Sequence, residues 1–255
     1  MLLKVRAGFP IFLAALNMRA GLVLMAPLLP IISKYYDLST MEMSVLLSIP
    51  IIAFSTSSVI MGVLGRRASS DRIITSALVT LALALTLRTF TGVVGLFLFT
   101  ALIGISIAVM NYEVPVWVKV HLPESTGLAT GIYVTLMGVG ASIAVAISVP
   151  IAQATSLSWK LSMLPWILFS TFAATYWVLK RRNIVAARSF EYAPFWRTPA
   201  IKNPIAWGLV LFFGIESMTF YGSASWLPTI LTTKNFSLSG AGAAIAFSGL
   251  LGSAV

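Results

Sequence analysis

Arg19 is the only formal charge in the 26 residues from Ala7 to Ile32, and it sits thirteenth in that run. About 20 apolar residues are enough to span a bilayer, so this guanidinium lies near the midplane. A cation there costs at least about 2.5–3.5 kcal/mol on insertion scales. It therefore faces a protein interior, a watery cavity or a partner, and its chemistry suits it to hold an anionic or polar small molecule. The second midplane charge is Glu216, twelfth in the 27-residue apolar segment 205–231. Thr219 and Ser223 follow it at helical spacing, so that segment carries a polar stripe. Arg19 and Glu216 either share an anionic solute and a proton or form a buried pair that locks two halves of the molecule together.

Other polar residues fall within or beside apolar runs. Glu113 is 21st of the 26 residues 93–118, roughly 11 Å from the centre of that run at 1.5 Å per residue. Pro115 removes the backbone bond to the Asn111 carbonyl, which predicts a kink and an available acceptor. Glu113 is then a gating or proton-coupling acid, or an ordinary charge at the membrane boundary near Lys119. Asn17 and Asn111 each lie two residues, about 200° round a helix, from a charged neighbour, and both read as interhelical hydrogen-bonding glue. Asn111 also counts among the candidate solute-binding residues. Arg88 ends the third run and reads as snorkelling to the interface, or as a guard at a cavity mouth. His121, beside Pro123 and Glu124, reads as a solvated loop residue. Gly127, Gly131, Gly138, Gly140, Ser142 and Ala144 predict close helix packing.

Composition limits the alternatives. The chain of 255 residues is 58% hydrophobic and 9% charged, with mean hydropathy +0.96. A soluble domain needs a more charged surface. The net charge of +10 comes from short breaks between apolar runs rather than from a basic stripe with interleaved aromatics, which argues against nucleic acid as a partner. With no cysteine and one histidine, thiolate chemistry and a multi-histidine metal site are excluded, and no metal or other cofactor is expected. An enzyme would need paired carboxylates, a nucleophile with its base, or metal ligands near one interface. None of these is present.

The elements that must position these residues are apolar segments at about 7–32, 44–64, 73–90, 93–118, 127–151, 161–179 and 205–231, with an eighth beginning near Ser239. Twelve Lys and Arg fall in the breaks on one side and four on the other. The excess marks the cytoplasmic side, so the N-terminus is expected inside a plasma (inner) membrane. Three regions follow: a six-helix transmembrane lobe over 1–179, a basic linker over 180–204, and the start of a second transmembrane lobe over 205–255. The linker, with Pro194, Pro199, Pro204 and four aromatics, is expected to lie along the inner leaflet. A repeat crosses it. Leu29-Pro30-x-Ile32 returns as Leu227-Pro228-x-Ile230, and Asp37-Leu38-Ser39 falls on Asn235-Phe236-Ser237, both at an offset of 198. Parallel six-helix repeats of this kind describe the major facilitator fold.

Several motifs carry a closer likeness. Leu16-Asn17-Met18-Arg19, Pro27-Leu28-Leu29-Pro30, Leu87-Arg88, Asn111 to Pro115, Leu122-Pro123 and Thr130-Gly131-x-Tyr133 are joined by Gly214-Ile215-Glu216-Ser217, Phe220-Tyr221 and Trp226-Leu227-Pro228. Together these resemble the cyanate- and nitroimidazole-transporter-like branch of the major facilitator superfamily, over essentially the whole chain. The resemblance implies an all-α membrane protein with a six-helix N-terminal lobe and the first one or two helices of a C-terminal lobe. It also places Tyr221 with Arg19, Glu216 and Asn111 among the substrate-binding candidates. The chain departs from the branch at Glu216, where glutamine is usual, and at Glu113, where an apolar residue is usual. The loop motif of the superfamily is reduced to Gly62-Val63-Leu64-Gly65-Arg66-Arg67, with no Asp at position 66.

The expected function is secondary active transport of a small anionic or polar solute by alternating access, with Glu216 or Glu113 coupling a proton. The alternatives are a non-transporting membrane sensor or scaffold, or an inactive truncated transporter. The sequence stops inside its eighth apolar segment, and about four more helices are expected to complete the lobe pair.

Overall fold

In a computed structural model, every regular element among the described residues is helical. These residues are 2–64, 69–155, 158–180 and 199–237, with isolated positions 240, 243 and 247. Side chains are described there except at 2–7, 54–64, 200, 213, 220, 221, 224, 225 and 228. Most of the expected linker, Arg66 and Arg67 of the loop motif, and nearly all of the eighth segment lie outside the described residues.

The helices are α1 (Leu2–Val23), α2 (Leu29–Tyr36), α3 (Thr40–Leu64), α4 (Ser70–Phe90), α5 (Val93–His121), α6 (Thr126–Ala154), α7 (Trp159–Lys180) and α8 (Pro204–Thr233). They coincide with the seven apolar segments because a backbone in hydrocarbon must satisfy its own hydrogen bonds. Among the described residues, five stretches are long and apolar enough to cross a membrane: Gly8–Tyr36, Ser70–Phe90, Val93–His121, Pro123–Ala154 and Trp159–Lys180. At the start of α3, Ser39 and Glu42 form a capping box. The Ser39 amide and hydroxyl donate to Glu42 Oε2 at 2.8 and 2.7 Å, and the Glu42 amide donates to Ser39 Oγ at 3.3 Å. The serine hydroxyl and then its amide hold the Glu42 carboxyl below its usual range.

Seven of these helices make one lobe with α1 through its middle. The first helix packs along α6 and also touches α5 and α7, while α4 joins α5 to α7 and α3 lies on α5. Two glycines set the closest approaches. A methyl at Gly140 would overlap the Leu16 carbonyl oxygen, and one at Gly104 would come within 2.8 Å of Pro50 Cα. The small residues of α6 therefore divide into two groups. Gly140 faces α1 at contact distance, whereas Gly127 and Gly131 face open space.

The internal repeat survives in three dimensions. Among the described residues, Asp37 and Asn235 are the two non-glycine residues with positive φ, at 55° and 66°. Asp37 caps α2 in the left-handed conformation, and Asn235 has positive φ just beyond Lys234, the C-cap of α8. Leu38 N donates to Ser33 O at 2.9 Å and Phe236 N donates to Leu231 O at 3.1 Å, so both the residues and the bonds repeat at the offset of 198.

The first span departs from the single run expected over 7–32. It breaks between Val23 and Leu29 through a 3-10 turn at Ala26–Leu28 and continues as α2 to Tyr36. Proline supplies the reason, because Pro27 has no N–H for the Val23 carbonyl. The equivalent residue of the second copy is Ser225, and α8 runs unbroken there.

Candidate functional site

Among the described side chains of α1, Arg19 lies on a stripe that the lobe leaves accessible. Phe9, Phe12, Leu16, Arg19 and Leu22, spaced by three or four residues, are partly or well exposed, while their neighbours Ala14, Ala15, Met18 and Ala20 are buried. Two contacts fix the rotation of this helix. On one side Gly140 of α6 seats against Leu16. On another, Asn17 is buried and accepts a hydrogen bond from Ser170 Oγ of α7 at 2.7 Å, while its amide donates to Leu13 O at 2.9 Å. Residues 17 and 19 are about 200° apart, so tying Asn17 inward to α7 turns Arg19 outward. Asn17 is thus the interhelical glue expected of it. Asn111 differs: its amide donates to Ile107 O of its own helix at 3.2 Å.

Glu113 is fully buried, which removes the reading of it as a boundary charge beside the exposed Lys119. It projects from α5 among Met110, Val114 and Trp117, all of them buried. Gly21 of α1 rests against Ile103 and Ile107 of α5. Following the two helices in opposite directions from that level places Glu113 roughly 9 Å along the bundle from Arg19, at 1.5 Å per residue.

Glu216 is exposed, as are Thr219 and Ser223 on the same face of α8, and Thr219 Oγ1 donates to Ile215 O at 2.9 Å. The polar stripe of this helix is therefore uncovered by the described residues. Contact with the lobe comes further along, where Leu227 packs on a cluster of Val23, Ala141 and Val145. Tyr221 lies within α8, and its side chain is outside the described residues.

Two residues stand elsewhere than the sequence implied. Arg88 does not snorkel. It is fully buried, with Nη1 donating to Gly21 O at 3.3 Å and Nη2 to Met163 Sδ at 3.6 Å. The break in the first span explains this, because it leaves a helix end inside the lobe for the guanidinium to meet. His121 is not a solvated loop residue either. Its ring stacks on Trp117, with centroids 4.2 Å apart, and its Nδ1 lies 3.0 Å from Trp117 O.

Sequence reasoning missed the group around that histidine. The buried Asp71, in the first turn of α4, accepts from Trp117 Nε1 at 2.8 Å, and its other oxygen lies 3.8 Å from His121 Nε2. Trp117 also meets Trp177 edge-on at 6.1 Å, and Trp177 Nε1 donates to Pro10 O at 2.9 Å. One end of the lobe is thereby tied through α4, α5, α7 and α1. An acid opening an apolar run signals the start of a helix, but nothing in the sequence pairs it with a tryptophan 46 residues away. Among the described residues, no group of three or more His, Cys, Asp or Glu could hold a metal ion.

The long apolar helices, the lobe around α1 and the repeated helix end define a multi-pass helical membrane protein built on an internal repeat. The chain belongs to the Major Facilitator Superfamily, whose family description matches residues 11–255. It is 30% identical over 237 residues to the 2-nitroimidazole transporter of Escherichia coli (strain K12), a match covering 91% of this chain and 59% of the relative. It is 28% identical over 235 residues to the uncharacterized transporter YycB of Bacillus subtilis (strain 168), covering 91% and 57%. With the cyanate transport protein CynX of Escherichia coli (strain K12) it shares 23% identity over 218 residues, covering 85% and 56%. The chain thus spans a little under three-fifths of the length of these relatives.

Proposed function

We propose that this chain supplies the solute-binding lobe, and the opening of the second lobe, of a secondary transporter for a small anionic or polar molecule. The observation that carries this reading is the accessible Arg19 on a helix whose rotation is fixed from two sides. The relatives named for 2-nitroimidazole and cyanate transport support the size class of solute. In this reading Asn111 and Tyr221 complete the solute site, and Glu216 is the proton-coupling acid. Glu113 is the second acid, enclosed by the lobe.

Alternating access has a natural basis in the contact of α8. Leu227 closes on Val23 and Val145, so in this reading the second lobe meets the first near one membrane face. The distribution of Lys and Arg puts the N-terminus and the 180–204 linker in the cytoplasm of a cell bounded by this plasma membrane. The closed contact then lies on the outer side.

The test is uptake of labelled cyanate and of 2-nitroimidazole into proteoliposomes holding the intact protein. Saturable uptake of either is expected, and Arg19→Lys should lose most of it, because a point charge does not replace a bidentate fork. Undiminished uptake by the lysine and alanine variants would remove Arg19 from the site. Absence of any saturable uptake would favour a sensor or scaffold.

A further inference from the structure

The break in the first span leaves a helix C-terminus inside the lobe. Its last carbonyls need donors, and the end of the helix carries partial negative charge. Backbone groups provide for part of this. Leu24 N donates to Ala20 O at 3.1 Å, and Met25 N turns to Leu22 O at 3.5 Å instead of Gly21 O. The turn leaves two carbonyls without their helical donors, Val23 O because of Pro27 and Gly21 O because Met25 N passes it over, and Arg88 Nη1 reaches the second. Arg88 is itself buried, so its charge needs a compensating partner. The acids on its own helical hairpin, Asp71 and Glu113, lie roughly 25 Å away along the helices at 1.5 Å per residue. The buried C-terminal end of α1 is the negative pole close at hand.

We propose that Arg88 is a positioning residue for the gate: it caps the C-terminus of α1 and holds the inner half of the first span still while α2 swings about Met25–Leu28. The swing itself rests on the transport reading above, whereas the cap does not. Cation and carbonyl here come from α4 and α1, and Met163 of α7 covers the other arm of the fork. In the second copy of the repeat Ser225 stands in place of Pro27 and Thr219 in place of Gly21, and α8 continues unbroken.

Residues 1–255 contain no cysteine, so cysteine pairs placed there and joined by a short bifunctional crosslinker give a direct test once any cysteine elsewhere in the intact protein is replaced. Val23→Cys with Leu227→Cys reports the contact just past the cap. Phe9→Cys with Tyr176→Cys reports the far end of α1, where the native rings are 5.4 Å apart. In membranes, Arg88→Met should slow the first pair at least about tenfold, the equivalent of about 1.4 kcal/mol, and leave the second unchanged. Arg88→Lys should restore part of the rate, since an ammonium can still bond a terminal carbonyl. Pro27→Ala, which returns an N–H to the turn, should shrink the effect of Arg88→Met. Equal slowing of both pairs, or no change in either, overturns the proposal, as does an Arg88→Met effect of undiminished size on the Pro27→Ala background. If transport fails but the cap stands, the pair difference persists while wild-type uptake is absent. If the cap fails, the difference vanishes while uptake remains.

Discussion

Replacing Gly140 by alanine should separate α6 from α1 at the level of the proposed solute site. A methyl there would overlap the Leu16 carbonyl oxygen and come within 3.0 Å of the Leu16 carbonyl carbon and Cα. All three are backbone atoms of a helix, so no rotamer change relieves the clash and one helix must move by several tenths of an ångström or more. Overpacking of this kind costs typically about 1–3 kcal/mol. Alanine also raises helix propensity by up to about 1 kcal/mol, so the substitution needs a reference that carries only that gain. Gly131→Ala on the same helix provides it, since its methyl would meet nothing within 4 Å. Thermal denaturation in detergent should therefore rank Gly131→Ala at or above wild type and Gly140→Ala below it, with a gap between the variants of about 1–3 kcal/mol. Uptake should fall in Gly140→Ala alone, because Leu16 adjoins Asn17 and a shift of α1 displaces Arg19. Equal stability and equal uptake of the two variants would refute the claim that this contact sets α1.

Three further outcomes are expected. Ser170→Ala removes the donor to Asn17 and should cost about 0.6–1.7 kcal/mol, the range for hydrogen bonds between membrane helices, with a matching loss of solute affinity; an unchanged melting curve would deny the bond a role. Trp117→Phe keeps the ring but strips a donor from the buried Asp71 carboxylate, for a loss of about 1–3 kcal/mol. Trp166→Phe is the control and should be the milder change, since among the described residues its buried Nε1 makes no hydrogen bond. Glu216→Gln should retain solute binding and exchange in proteoliposomes yet lose accumulation driven by a proton gradient; accumulation that persists and is still stopped by a protonophore would transfer the coupling role to another acid.

The positions of the helices were legible because each is an apolar run bounded by charge or proline, and hydrocarbon leaves such a run little choice but to be helical. The repeat was legible from two short matches, and its most telling consequence, the shared positive φ at Asp37 and Asn235, followed from residues able to adopt that conformation. Arg19 could be picked out because a lone charge in an apolar run has few explanations. Arg88 and His121 were misjudged for a common reason. Each sits near the end of an apolar run, and position along the chain measures depth but not the direction in which a side chain leaves the helix.

By itself the sequence determined the membrane setting, the order of the seven apolar segments that the described residues cover, the internal repeat and the residues able to carry charge into the bilayer. These are properties of composition and of chain distance, and they hold whatever the helices pack against. Tertiary structure decided which face of each helix is buried. It brought Asn17 to Ser170 across 153 residues and Trp117 to Asp71 across 46. It also turned the break at Pro27 into a helix end capped by Arg88. Those pairings depend on helix rotation and crossing, which a few close contacts such as Gly140 on Leu16 fix only once the lobe has assembled.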